Sequence, residues 1–336
     1  MITSKKSRIT YSDIAAEAGV SKATVSRVLN DDGKVDEDRR KRVLDTVEKM
    51  GYQRHRAASA LASGRTGMIA IVIDDDLSVL SDPFYATVAS GISRVLMRNN
   101  LQPLLLVAEV NSVDGPVAHY LQGGEVDGAI FFQLHESTLV RKLEKIGLPQ
   151  VIVGTPHTNM DFVYVDCDNF GGGLQAAKHF FDMGRTTIGT ITGDIVATAG
   201  KQRLDGFLQA YREHGKVASK KLIAQGDYSL ESGRAAMRHL MQDNPNLDAV
   251  FAANDLMAIG AIAIAEEAGK RVPEDISIIG FDDSLVAQTS RPPLSSIKQD
   301  VVKLGETAAD LLISKLKGET PDSVILPVEL VSRHSA

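Results

Sequence analysis

Apolar positions in this chain of 336 residues follow two different rules, and the change between them marks its organisation. Up to Gly51 the period is helical: Ile14, Ala15 and Ala18 share one face, Val25, Val28 and Leu29 a second, and Val43, Leu44, Val47 and Met50 a third. Such three- and four-residue spacings predict three short amphipathic helices, each burying one stripe. The punctuation agrees. Thr10 with Asp13 three residues on has capping-box spacing, while Ser21 and Asp36 stand where the second and third helices need caps. Gly19 and Gly51 stand where the chain must turn or stop. From Met68 onward, short apolar runs alternate with helical patterns, as parallel β-α units require. Strands are predicted at 68–73, 104–107, 126–132, 150–153, 187–192, 249–253 and 276–281, and helices at 85–98, 170–181, 203–213, 232–241, 255–267 and 300–315. These are more units than one open sheet holds comfortably, so two α/β lobes are expected after an all-α headpiece.

Helices one and two meet across a Gly-centred turn, which is the form of a helix-turn-helix, and the second helix then faces the major groove of DNA. Lys22, Ala23, Ser26 and Arg27 lie off its apolar face near its start, the part of a recognition helix that reaches base edges. Thr10, Ser21 and Thr24 suit phosphate contacts. The run Arg39, Arg40, Lys41 and Arg42 on helix three is either a phosphate-contacting or a solvated face. Charge partition supports the DNA reading more than total charge does. Residues 1–65 hold 14 Lys and Arg against 9 Asp and Glu, a net of +5, which leaves −11 of the overall −6 for the remainder. A basic head on an acidic body suits one DNA-facing end, with affinity that falls as salt rises.

Val20-Ser21-Lys22-Ala23-Thr24-Val25-Ser26-Arg27-Val28-Leu29-Asn30, followed by Gly51-Tyr52 and later Ser63-Gly64-Arg65-Thr66, resembles the LacI/GalR family of bacterial transcription regulators over nearly the whole chain. The resemblance implies a headpiece over 1–50, with Asn30 among its DNA contacts, a hinge over 51–65 that becomes helical on operator DNA, and a sensor and dimerisation domain over 66–336. That sensor resembles two-lobed periplasmic sugar-binding proteins, with the stretch from Leu294 crossing back to the first lobe. Leu61 matches the family's leucine wedge, which enters the minor groove and bends the site. Ala57, Ala58, Ala60 and Ala62 favour helix, yet the segment is too short and too poor in apolar bulk to be helical alone. The hinge departs from the family at Arg54, His55 and Ser59, where proline, asparagine and a basic residue are usual. Family resemblance and operator geometry together imply a homodimer on a pseudopalindromic site, controlled by a small carbohydrate effector.

Effectors of such sheets bind at the carboxyl ends of strands, in the cleft between lobes. Asp74 ends the first predicted strand, and Phe84 and Tyr85 open the next helix. Carboxylates accept paired hydroxyl hydrogen bonds and aromatic rings cover the apolar face of a sugar, so this mixture suits a polyol. By residue-level matching to the family, Arg203 is the ligand-binding arginine, with Tyr228, Asn254, Asp282 and Gln299 completing the pocket. Asp255 and Asp283 look like helix or turn caps, and Arg203 has an alternative as a structural ion pair. Gly154 and Val301 stand where other members carry polar or aromatic contacts.

The chain lacks a complete phosphate loop: the glycines of Gly193 and Gly200 are followed by Lys201 but then by Gln202, not Ser or Thr. It also lacks a dinucleotide fingerprint, a Gly-x-Ser-x-Gly elbow and a His-x-x-x-His pair. No enzyme, cofactor or metal site is therefore expected. The lone Cys167 excludes an internal disulfide and suits a reducing cytoplasm. The start, Met1 to Ile9, has basic residues but no following apolar core of signal-peptide length, and no uninterrupted apolar run reaches membrane-span length, so export is not expected. The alternatives are a transport-type sugar-binding module, which needs export and no headpiece, and a DNA-binding regulator without an effector.

Overall fold

A computed structural model describes residues 9–29, 35–52, 64–73, 82–107, 115–132, 138–156 and 162–336. The chain divides into two compact units, Met1–Thr66 and Gly67–Ala336.

In the first unit, three helices pack around Ile14, Val25, Val28 and Val43: α1 (Tyr11–Ala18), α2 (Lys22–Leu29) and α3 (Glu37–Met50). The predicted caps all form. Thr10 Oγ1 accepts from the Asp13 amide while the Thr10 amide donates to Asp13 Oδ2 at 2.7 Å. Ser21 Oγ accepts from the Thr24 amide at 3.1 Å, and Asp36 Oδ1 from the Arg39 amide at 3.0 Å. Gly19 and Gly51 sit at φ 65° and 62°, the left-handed region that lets α1 and α3 end without a Cβ penalty. One expected core position fails: Leu44 is 46% exposed, because Val43 and Thr46 take the inward places and Leu44 follows Val43 by a hundred-degree step around the helix. Tyr11 and Tyr52 close the unit edge to face, with ring centroids 5.9 Å apart.

The second unit contains two six-stranded sheets. Its elements run β1 (Met68–Ile73), α4 (Pro83–Arg98), β2 (Gln102–Val107), α5 (Pro116–Gln122), β3 (Gly128–Phe132), α6 (Thr138–Lys145), β4 (Gln150–Val153), β5 (Tyr164–Cys167), α7 (Asn169–Asp182), β6 (Ile188–Thr192), α8 (Thr198–Glu213) and β7 (Ile223–Gln225). They continue with α9 (Leu230–Asp243), β8 (Ala249–Ala252), α10 (Asp255–Glu267), β9 (Ser277–Asp282), α11 (Leu285–Thr289), β10 (Ser295–Gln299), α12 (Val301–Leu316), β11 (Val324–Leu326) and β12 (Val328–Val331). The first sheet has the order β11-β5-β4-β3-β1-β2 and is parallel throughout. The second has the order β12-β10-β9-β8-β6-β7, with only β12 antiparallel to its neighbour. Central strands such as Gly128–Phe132 and Ile188–Thr192 are buried at every position, as sheets covered on both faces must be.

Helices of each lobe approach closely through glycine. A Cβ on Gly173 of α7 would lie 2.0 Å from the Arg203 carbonyl oxygen of α8, and one on Gly305 of α12 would lie 2.2 Å from the Val88 carbonyl oxygen of α4. The packing of α12 on α4, β3 and β4 places it in the first lobe. The crossing expected at Leu294 comes later: β10 stays in the second sheet, paired with β9, and the chain changes lobes at Asp300. It passes between lobes three times, each time through a single residue: Asp168, Asp300 and Pro327. The Asp168 amide donates to the Leu326 carbonyl at 2.9 Å, which ties the first link to the third.

Candidate functional site

A cavity of about 500 Å³ opens between the two lobes, bordered by Asp82, Pro83 and Phe84 at the start of α4 and by Asn254, Asp282 and Gln299 from the second lobe. The second-lobe residues sit at or just after the carboxyl ends of β8, β9 and β10, where parallel strands deliver their side chains. Local backbone is strained there. Of the four non-glycine residues with left-handed φ among the described residues, Tyr228 (70°), Asp282 (107°) and Asp283 (54°) belong to this region. Strain of this kind persists only where surrounding contacts fix it.

Asp282 is the hub. Its Oδ1 accepts from Gln299 Nε2 at 2.5 Å and lies 4.0 Å from Arg203 Nη1. Burial pushes the Asp282 carboxyl well above the usual range, against the pull of Arg203. Arg203 does not border the cavity. It lies behind Asp282, only 6% exposed, with its guanidinium carbon 3.5 Å from the centre of the Phe281 ring, its Nε donating to Asn169 Oδ1 at 2.8 Å and its Nη1 to the Ala253 carbonyl at 2.5 Å. Asn169 in turn donates to Asp166, so the arginine is held by β5 and α7 as well as by β8 and β9. Gly172 makes room, since a Cβ there would sit 2.5 Å from the Phe281 ring.

Beneath the cavity, Asp255 accepts from the Ser284 amide and hydroxyl at 2.7 and 2.8 Å and from the Ser296 hydroxyl at 2.6 Å. Burial lifts its carboxyl to about 6. Its expected capping role belongs to Asn254, whose Oδ1 accepts from the Met257 amide at 2.9 Å while its Nδ2 donates to the Tyr228 carbonyl at 2.8 Å. Asp283 is not a simple turn cap either: it pairs with Arg333 at 2.5 Å, and Arg333 also holds the Leu294 carbonyl. Together these groups pin the loop that presents Asp282.

The remaining expected residues divide. Phe84 borders the cavity, but Tyr85 packs against the first-lobe core with its ring 5.6 Å from Phe132. Tyr228 sits behind the wall, its hydroxyl buried without a hydrogen-bond partner, and a Cβ on Gly193 would lie 2.0 Å from its ring. Asp74 lies outside the described residues. Cys167 is buried, and burial pushes its thiol up, so it behaves as a small apolar side chain. Asp82, Asn169, Asp283 and Arg333 were missed as builders of this region. Asp82 ahead of Pro83 is an N-cap signal available in sequence, whereas Asn169 meets Arg203 only after folding.

In the first unit, α2 carries the proposed reading face. Ser21, Lys22, Ala23 and Arg27 are exposed, Thr24 and Ser26 are half-buried, and Val25 and Val28 face the core. Ser21 and Thr24 hydroxyls lie 2.8 Å apart, and Thr10 stands at the start of α1. Asn30 and Leu61 lie outside the described residues. Among the described residues no cluster of three His, Cys, Asp or Glu is disposed to hold a metal, and no helix is long and apolar enough to cross a membrane.

Residues 10–55 match the family model of bacterial regulatory proteins, lacI family, and residues 177–336 match that of the periplasmic binding protein-like domain. Over 97% of its length the chain is 36% identical to the HTH-type transcriptional regulator CelR of Thermobifida fusca, covering 97% of that protein. The chain belongs to the LacI family of bacterial transcriptional regulators. Another LacI-family relative is the HTH-type transcriptional regulator DegA of Bacillus subtilis, 36% identical with 98% of each chain covered. Among solved structures, a CelR–cellobiose complex superposes with a TM-score of 0.76 at 35% identity, covering 98% of this chain and 100% of that one. A lac repressor dimer bound to operator and the anti-inducer ONPF gives 0.86 at 25% identity, covering 98% and 99%. The LacI-family arrangement of helix-turn-helix and two-lobed sensor thus extends over essentially the whole chain.

Proposed function

We propose that this LacI-family chain is a homodimeric repressor that reads a pseudopalindromic operator through α2 and answers to a carbohydrate bound in the cleft. Residues 1–50 serve as headpiece, 51–65 as a hinge that orders on DNA with Leu61 as its wedge, and 66–336 as sensor and dimerisation domain. Lys22, Ala23, Ser26 and Arg27 read base edges; Thr10, Ser21, Thr24 and Asn30 complete the DNA contacts. Phe84, Asn254, Asp282 and Gln299 contact the effector. Asp74 joins them, while Arg203, Tyr228 and Tyr85 hold the wall. The protein works in the cytoplasm and binds its effector without turning it over.

The observation that carries this reading is the cavity's double ownership. Phe84 belongs to the first lobe and Asp282 to the second, so any ligand that touches both has a free-energy interest in the angle between them. A preferred angle moves the paired hinges and changes operator affinity by linkage. The cellobiose held by CelR and the operator held by the lac repressor dimer support the assignment of ligand class and partner.

The test is a competition gel shift on operators selected from random DNA, repeated with a saccharide panel. Wild type is expected to select a two-fold symmetric site and to change its affinity with one saccharide. Arg27→Ala should lose about 1–3 kcal/mol of discrimination at its base with an unchanged melting temperature. A variant as selective as wild type removes Arg27 from the readout.

A further inference from the structure

The charge around the cavity says what its occupant lacks. In the second sheet all five parallel strands are followed, within three residues of their carboxyl ends or at the end itself, by aspartate: Asp194, Asp227, Asp255, Asp282 and Asp300 follow β6 to β10 in order, and the last three, with Asp283, border the cavity. Asp82 supplies another carboxyl from the first lobe. Cations do not balance them. The Arg203 guanidinium is already committed to Asn169, Ala253 and Asp282, and Lys298, on the cavity wall, is drawn to Glu329 at 3.2 Å.

Helix ends do not compensate. A helix N-terminus binds anions through its free amides and the positive end of its dipole. Here α4, α7, α9, α10 and α12 spend those amides on Asp82, Asp168, Ser229, Asn254 and Asp300. The starts of α5, α8 and α11 have no side-chain cap, but Asp194 stands just ahead of α8, and at α11, on the cavity wall, Asp255 already takes the Ser284 amide. The carboxyls respond to one another: burial, and after it the charges of Asp255 and Asp82, lift Asp282 in spite of Arg203.

Hydroxyl groups meet this surface well. Each donates to a carboxylate or to an amide oxygen such as that of Gln299, while Phe84, Pro83 and Val301 cover apolar ring faces. A phosphate or carboxylate meets the carboxyls of Asp82, Asp255, Asp282, Asp283 and Asp300, with Lys298 the lining cation among the described residues and that drawn to Glu329. We infer that the effector is an uncharged saccharide, and that phosphorylated and acidic sugars are excluded by the cleft's own charge. The inference rests on the sensor role proposed above. One negative charge about 6 Å from one carboxylate, at an effective dielectric of about 20, weakens binding about a hundredfold.

Calorimetric titration of the full-length protein with matched pairs tests it: cellobiose and cellobionate, lactose and lactobionate, galactose and galacturonate, glucose and its phosphate monoester. The neutral member that binds should exceed its anionic partner at least about a hundredfold, with little dependence of its own affinity on salt. Leu285→Lys adds a cation at a wall position that is 71% exposed, so folding is spared, and it should narrow the gap about tenfold. An anionic member that binds as tightly as its neutral partner overturns the inference and leaves the sensor standing. Anion exclusion that Leu285→Lys does not relax overturns its electrostatic cause. Failure of every saccharide, neutral or anionic, to bind overturns the sensor reading itself and the inference with it.

Discussion

Arg203→Met removes the buried cation behind Asp282 while keeping a side chain of similar reach. Asn169 Oδ1 and the Ala253 carbonyl lose a charged donor, Phe281 loses the cation 3.5 Å from its ring centre, and Asp282 loses the positive charge 4.0 Å away. A hydrogen bond to a charged group contributes about 1.5–3 kcal/mol, and stranding one member of a buried ion pair costs about 3–5 kcal/mol. One group makes all these contacts, so the losses overlap and do not add; about 3–5 kcal/mol is expected near neutral pH. The pH dependence is the signature. Without Arg203 the folded pKa of Asp282 rises further above its unfolded value, so the folded variant holds a proton that the unfolded chain releases. Its stability therefore grows as pH falls through the folded pKa, and the deficit against wild type shrinks by up to about 1.4 kcal/mol per pH unit. Urea unfolding of wild type, Arg203→Met, Asp282→Asn and the double variant, across the pH range over which the protein stays folded, measures both terms. Measured against Asp282→Asn alone, the double variant should show a deficit that does not vary with pH. A single-variant deficit below about 1 kcal/mol, or one equally large at every pH, refutes the claim that Arg203 secures Asp282.

Asp255→Asn should flatten a different slope. A folded pKa of about 6 against an ordinary 3.8 means that Asp255 makes wild-type stability fall as pH rises between those values, by up to about 3 kcal/mol, and thermal melts across that window should show a smaller fall in the variant than in wild type. Gly173→Ala drives a methyl group to 2.0 Å from the Arg203 carbonyl oxygen, so α7 and α8 must separate; a loss of about 1–3 kcal/mol and a weakened thermal response to effector are expected, both read by differential scanning. Ser21→Ala removes the acceptor for the Thr24 amide and should cost about 1 kcal/mol in the first unit, seen as an earlier loss of its helical signal.

Where a residue's role follows from local chemistry, the sequence displays it. Thr10 with Asp13, Gly19 and Gly51 announced the helices of the first unit, and Val-, Ile- and Phe-rich runs such as 68–73 announced strands covered on both faces. Leu44 shows the limit of that logic, because a stripe one residue too wide looks the same in sequence until neighbouring helices choose its centre. The missed strands β5, β7, β10, β11 and β12 are three to five residues long, and two of them, Tyr-Val-Asp-Cys and Ser-Ser-Ile-Lys-Gln, carry the polar groups of the site. Their strand character comes from pairing with a preformed sheet, not from propensity. That Arg203 stands behind the wall is not legible in sequence, because Asn169, Ala253 and Phe281 converge on it from positions remote in sequence.

Three single-residue links join the lobes. A one-residue tether leaves only a Cα step or two of slack, and Asp168, Asp300 and Pro327 are neighbours: the first is bonded to Leu326, and Gln299 is paired with Val328. Three short straps side by side behave as a piano hinge, which permits swing about its pin but resists sliding, twisting and separation. Whatever closes in the cleft is therefore converted into one angle, and a lever with one freedom transmits a small displacement without dissipating it among many.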